Sequence, residues 1–221
     1  MPKESPIDQL NDTLKEIVFR RKNAKLFKKL AKSTNFDYQE VEALALINEK
    51  ITNKMGPISR IPFREILHSG LDCTENLPHL LVDRVFSAID KKDLSSITID
   101  QWIEGFSIML KGTLDERIEF AYKVYDLMKT DSLKKEQIFP MMRGCLIMPK
   151  PDEDPDEMVK DLLDLMLKKL DFDRNGRVSQ LEFTQIVKKN ELFLECMGPI
   201  FPSREAQYAF LTTFSHRNHR F

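Results

Sequence analysis

The chain has 221 residues, 42% of them hydrophobic, and a formal net charge of −1. That is enough apolar material for a buried core in one large domain or two small ones. The near-neutral balance gives no global pull toward nucleic acid or an anionic membrane. None of the 7 glycines falls in a phosphate-cradling pattern.

The first predicted element is helical, from Ile7 to Leu30 as one helix or two, with Ile7, Leu10, Leu14, Ile17 and Val18 and then Leu26, Phe27 and Leu30 at helical spacing. Its second half carries Arg20, Arg21, Lys22, Lys25, Lys28, Lys29 and Lys32 with no acid between Glu16 and Asp37. Such a face is either a solvated surface on a packed helix or a docking face for an acidic partner, such as a tubulin tail or an acidic coiled coil. A basic amphipathic helix also suits a membrane surface, but no other stretch supports one.

From Phe36 onward one unit repeats. Frames of twelve residues begin at Ile51, Asp90, Asp126 and Asp171, each with an apolar residue at position 8 (Ile58, Ile97, Leu133, Val178) and an apolar or aromatic residue after position 12 (Phe63, Trp102, Ile138, Phe183). Helices are predicted to enter and leave each frame, so the expected fold is all-α, with four EF-hand helix–loop–helix units in two paired lobes. Residues 35–112 form the first pair and 113–195 the second. Residues 1–34 are a basic extension, and 196–221 a C-terminal segment with its own helix.

Only the fourth frame, D-F-D-R-N-G-R-V-S-Q-L-E, has the chemistry of a calcium loop. A calcium ion takes six to eight oxygens at roughly 2.3–2.6 Å, and a loop of this length offers them from fixed positions. Asp171, Asp173 and Asn175 supply side-chain oxygens, Arg177 its backbone carbonyl, Ser179 a direct or water-borne contact, and Glu182 two carboxylate oxygens. Gly176 stands where the turn needs positive φ. Arg174 and Arg177 add positive field, which points to the weak half of a sensor range of roughly 10⁻⁷ to 10⁻⁵ M. The other frames lack ligands. The first offers Ile51, Asn53, Met55 and Pro62, the second Lys92, Leu94 and Gln101 after Asp90, and the third Met128, Thr130 and Gln137 after Asp126. One calcium site is therefore expected.

Between the third and fourth frames, Met148 to Glu157 reads as an acidic, proline-bearing linker whose acids also favour the start of the next helix. Past Glu191, Pro199 and Pro202 break the pattern, and Ser203 caps a last helix bearing Phe210, Leu211 and Phe214. That helix is one candidate to fill the groove of the C-terminal lobe, where it would compete with or replace a partner helix; a partner is the other. His216 and His219 lack the acid or cysteine that a metal site needs.

Cys73, Cys145 and Cys196 have neither zinc nor disulfide-framework spacing, so buried thiols in a reducing compartment are expected. No leader, spanning run or N-myristoylation glycine is read, and the expectation is a soluble intracellular protein. No nucleophile–base arrangement is found, so no enzyme is expected.

The stretches F-R-E-I-L-H, D-R-V-F, W-I-E-G-F-S, L-K-G-T-L-D-E, V-Y-D-L, D-E-D-P-D-E with K-D-L, L-K-K-L-D-F-D and L-E-C-M-G-P resemble the calaxin family, neuronal-calcium-sensor-like EF-hand proteins of cilia and flagella, over about Lys29 to Phe201. The resemblance implies an axonemal calcium-binding protein of the cytoplasm. Its implied partners are the coiled coils of the outer dynein arm docking complex, the dynein heavy chain and tubulin. The loss of ligands in the second and third loops, with the added basic extension, marks a divergent paralogue whose calcium response is reduced to one loop. A calcineurin-B-type or potassium-channel-type regulatory protein that cradles an amphipathic target helix is the alternative, since it shares the four-frame layout.

Overall fold

Several helix starts in this chain are fixed by side chains that receive the otherwise unpaired amides of a first turn. A computed structural model describes residues 14–71, 79–92, 94–126, 128–145 and 154–215. Within them α1 spans Leu14–Ser33 and α2 Tyr38–Met55. At Asp37 the carboxylate accepts from the Glu40 amide, and Glu40 accepts from the Asp37 amide, closing a reciprocal box. The same device starts α6 (Leu114–Tyr125) at Thr113 and Glu116 and α9 (Gln180–Lys189) at Ser179 and Glu182, and at the start of α5 (Ile99–Lys111) Gln101 accepts from the Thr98 amide. Asp154 caps α8 (Pro155–Leu170), whose first turn holds Asp156 and Glu157, as expected of that acidic stretch. Ile7, Leu10, Cys73, Met148, His216 and His219 lie outside the described residues.

The remaining helices are α3 (Arg60–Leu71), α4 (His79–Ile89), α7 (Lys135–Cys145) and α10 (Arg204–Thr212), with a 3-10 turn at Glu191–Glu195. The described residues are mostly helical, and the one small sheet among them pairs β1 (Ser132–Lys134) antiparallel to β2 (Arg177–Ser179), with Leu133 opposite Val178. These two residues are fully buried. The corresponding residues further up the chain meet through a single bond, in which the Ile97 amide donates to the Ile58 carbonyl at 2.9 Å.

The first repeat frame differs from its expectation. Residues 51–55 continue α2 as helix, and only 56–59 form a turn before α3. The cause is visible in the other frames, where the aspartate at position 1 receives two loop amides. Ile51 has no acceptor, so α2 runs on until Gly56.

One apolar core runs through the molecule, from Phe27 and Leu44 through Phe63, Phe86, Trp102 and Phe106 to Tyr125, Phe183 and Leu194. Inside it Arg84 of α4 is buried, and its Nη1 donates to the Tyr125 carbonyl at 3.0 Å at the end of α6 and lies 2.8 Å from the Met141 sulfur of α7. A cation at the C-terminal end of a helix meets the negative end of its dipole.

The C-terminal helix is placed differently from the sequence expectation. Instead of lying on the C-terminal half, α10 packs against α3, with Phe210 centred 5.6 Å from Phe106 and Phe214 centred 6.2 Å from Phe36. Beyond it Ser215 donates to Glu40 at 2.7 Å. The aromatics at Phe36 and Phe106 complete an apolar surface in the first half of the chain, which helical spacing in α10 cannot reveal.

Candidate metal centre

The loop between α8 and α9 is held by its own carboxylates. Asp171 ends α8 and accepts from the Asn175 amide at 3.1 Å and the Gly176 amide at 2.8 Å. Asp173 accepts from the Asn175 amide at 3.0 Å and its side-chain amide at 2.7 Å, and Asn175 Oδ1 accepts from the Arg177 amide at 2.8 Å. Two consecutive amides on one carboxylate turn the backbone sharply, and Gly176 takes φ 78° there.

Glu182 faces the same turn from α9. Its Oε2 accepts from the Ser179 amide at 2.9 Å and the Ser179 hydroxyl at 2.7 Å, while its Oε1 accepts from the Phe172 amide at 2.9 Å. Burial would raise this carboxyl, but the bonds from Ser179 and Phe172 outweigh it and hold it below the ordinary range. Behind the loop, Tyr122 donates to the Val178 carbonyl at 3.0 Å, and Phe183 lies against the rings of Tyr122 and Tyr125. The scaffold is packed and the ligand face is open, with Asp173 and the Arg177 side chain exposed.

One carboxylate oxygen from each of Asp171, Asp173 and Glu182 lies within 4.8 Å of the others. Two oxygens bound to one calcium-sized cation at 2.3–2.6 Å stand at most about 5 Å apart, so this spacing fits a shared ion. Three like charges at this distance repel one another, and none has an ion pair among the described residues. Both observations fit a divalent cation.

The second and third loops keep this frame and lose the charge. Asp90 accepts from the Leu94 and Ser95 amides at 3.1 and 2.9 Å, and Asp126 from the Thr130 and Asp131 amides at 3.1 and 2.7 Å. Position 6 takes positive φ in each, 61° at Ser95 and 53° at Asp131. In place of Glu182 stand Gln101 and Gln137, whose Oε1 atoms accept from the Thr98 and Lys134 amides at 3.0 and 2.9 Å. Gln101 also donates to Asp90 at 3.4 Å, so an amide proton occupies the direction an ion would hold. Lys92 is drawn outward to Asp100 at 3.1 Å. Among the described residues, Asp171, Asp173 and Glu182 form the one cluster suited to a metal ion.

The basic residues of α1 divide. Arg20 turns toward α2 and pairs with Glu42 at 3.2 Å, while Arg21, Lys22, Lys25, Lys28 and Lys29 are exposed. No helix among the described residues is long and apolar enough to cross a membrane.

No family model matches the chain. It is 35% identical to calaxin of Xenopus laevis over 196 residues, which covers 86% of this chain and 92% of that protein. Human calaxin is 35% identical over 153 residues, 69% of this chain and 71% of that protein. A more distant likeness joins it to calcineurin B of Candida glabrata, 26% identical over 171 residues, 76% of this chain and 91% of that protein.

Proposed function

The chain belongs to the calaxin family as a divergent paralogue, and from that premise we propose that it is a non-enzymatic axonemal adaptor with one calcium site. Four EF-hand-type units in two lobes, divided near residue 112, form its scaffold. The observation that carries the reading is the cluster of Asp171, Asp173 and Glu182 within 4.8 Å, beside sister loops in which glutamine has replaced the glutamate. Calcium there takes those carboxylates with Asn175, Ser179 and the carbonyl of Arg177, at an affinity of about 10⁻⁶ to 10⁻⁵ M. The ion neutralises a repulsive cluster on an already turned loop, so it adjusts or stabilises the scaffold more than it switches it.

The partners proposed are the docking-complex coiled coils of the outer dynein arm, the dynein heavy chain and the acidic tubulin tails of doublet microtubules. The exposed lysines and arginines of α1 face them, in the cytoplasm of a cilium or flagellum. The likeness to calcineurin B favours one second reading, a regulatory protein bound to an amphipathic target helix. Salt-washed axonemes separate the two. Retention there, lost when Arg21, Lys25 and Lys28 become glutamate, supports the adaptor. Recovery only in a soluble phosphatase or channel complex supports the second.

A further inference from the structure

Helix α8 is apolar over more of its circumference than its own core covers. At 100° per residue, Met158, Val159, Leu162, Leu163, Leu165, Met166 and Leu170 span an arc of about 160°. One half of that arc is buried, with Val159, Leu163 and Leu170 at 0% exposure and Met166 at 7%. The other half is a stripe in water, with Met158 38%, Leu162 40% and Leu165 60% exposed at spacings of four and three residues. That spacing is the seam by which one helix packs along another.

The outer edge of the stripe is acidic. The same rotation places Asp154, Glu157, Asp161 and Asp164 along it, all exposed. Asp164 pairs with Lys135 of α7 at 2.5 Å, whereas Glu157 and Asp161 have no ion pair among the described residues. Lys168 and Lys169 follow at the C-terminal end, so the sign of charge reverses along the helix. An apolar seam beside an acidic row in which Glu157 and Asp161 have no ion pair among the described residues is complementary to an amphipathic helix with its own apolar seam and a lysine- or arginine-rich edge.

A second copy of this chain offers that combination over too short a length. The apolar residues of its basic helix, Ile7, Leu10, Leu14 and Val18, sit among Glu4, Asp8, Asp12 and Glu16 in the sequence. Among its described residues only Leu14 and Val18 are large, apolar and exposed, beside Lys15, and cations follow from Arg21, so this seam is one turn long against the two turns of the stripe. We propose that the Met158–Leu162–Leu165 stripe with Asp161 and Glu157 is a docking face for a basic amphipathic helix of another protein. The face lies apart from the ligand set of Asp171–Glu182, so its failure leaves the calcium reading standing.

The test uses the full chain and a fluorescent 21-residue synthetic helix with leucine at the seam positions and lysine at the flanking ones. A second peptide carries glutamate in place of lysine. Saturable binding of the lysine peptide, at least tenfold tighter than the glutamate peptide, is expected. Leu162→Ser with Leu165→Ser should weaken it tenfold or more at an unchanged thermal midpoint, because both side chains already face water. Asp161→Lys should weaken the lysine peptide and favour the glutamate one. Absent binding, equal affinity for the two peptides, or binding unaffected by the double serine variant overturns the proposal. So does a self-association in sedimentation that the double serine variant abolishes, which would assign the stripe to a second copy.

Discussion

At residue scale, the loops show one backbone shape held with different side chains. Position 6 is left-handed at Ser95 and Asp131 as it is at Gly176. A side chain in that region is strained by roughly 1 kcal/mol, less for aspartate than for serine. Ser95→Gly should therefore raise stability by about 0.5–1 kcal/mol, read as a higher urea midpoint. Gly176→Ala should lower stability by about 1 kcal/mol and weaken calcium binding with it. Gly198 is constrained for a different reason, because a Cβ there would meet Leu81 Cδ1 at 2.5 Å and Cys145 Sγ at 2.6 Å, on a backbone at φ 133°. Its carbonyl also accepts from the Tyr125 hydroxyl at 2.9 Å. Gly198→Ala is expected to cost about 2 kcal/mol or more in urea unfolding, since neither the close contact nor the φ suits a side chain. The M-G-P stretch thus packs the turn after α9 against the centre of the molecule.

At the scale of elements, Glu40 joins three segments. Its Oε1 receives Lys111 at 2.6 Å and the Ser215 hydroxyl at 2.7 Å, and its Oε2 receives the Asp37 amide at 3.0 Å. Burial would raise this carboxyl, but the bonds from Lys111, the Asp37 amide and Ser215 outweigh it and hold it below the ordinary 4.5. A depressed folded value means that the contribution is present above 4.5 and disappears as pH falls through the lower folded value. Glu40→Gln should lower stability by about 2 kcal/mol at neutral pH, the scale of a hydrogen bond to a charged group. The gap between wild type and variant should close in acid. A gap in urea midpoint that persists at low pH would show that Glu40 acts through packing rather than charge.

Periodicity marks most of these elements in the sequence, and capping residues mark several of their starts. Asp37, Ser203 and the acidic start of α8 cap the helices they precede, and Val178 pairs across a strand as its β-branched side chain suits. What escapes sequence reading is tertiary. The partner surface of α10 is made by Phe36, Phe106 and Gly70, scattered along the chain. The ion pair that takes Arg20 away from the exposed basic face likewise depends on Glu42 one helix later. The extension of α2 through the first frame was legible in principle, because Ile51 lacks the acceptor that Asp90, Asp126 and Asp171 provide.

At the scale of the molecule, the proposed scaffold holds one ion at one loop, while the sister loops at Asp90 and Asp126 are closed by their own hydrogen bonds. Glu182→Gln isolates that claim, because Gln101 and Gln137 show that an amide still receives the loop amide and starts the next helix. The variant should fold and lose only the charge and the second carboxylate oxygen. Calorimetric titration of the full chain with calcium is the direct measurement. A stoichiometry of one with a Kd of about 10⁻⁶ to 10⁻⁵ M is expected, with a loss of tenfold or more in Glu182→Gln. A second equivalent of calcium, no heat in the wild type, or an unchanged isotherm in the variant would contradict it.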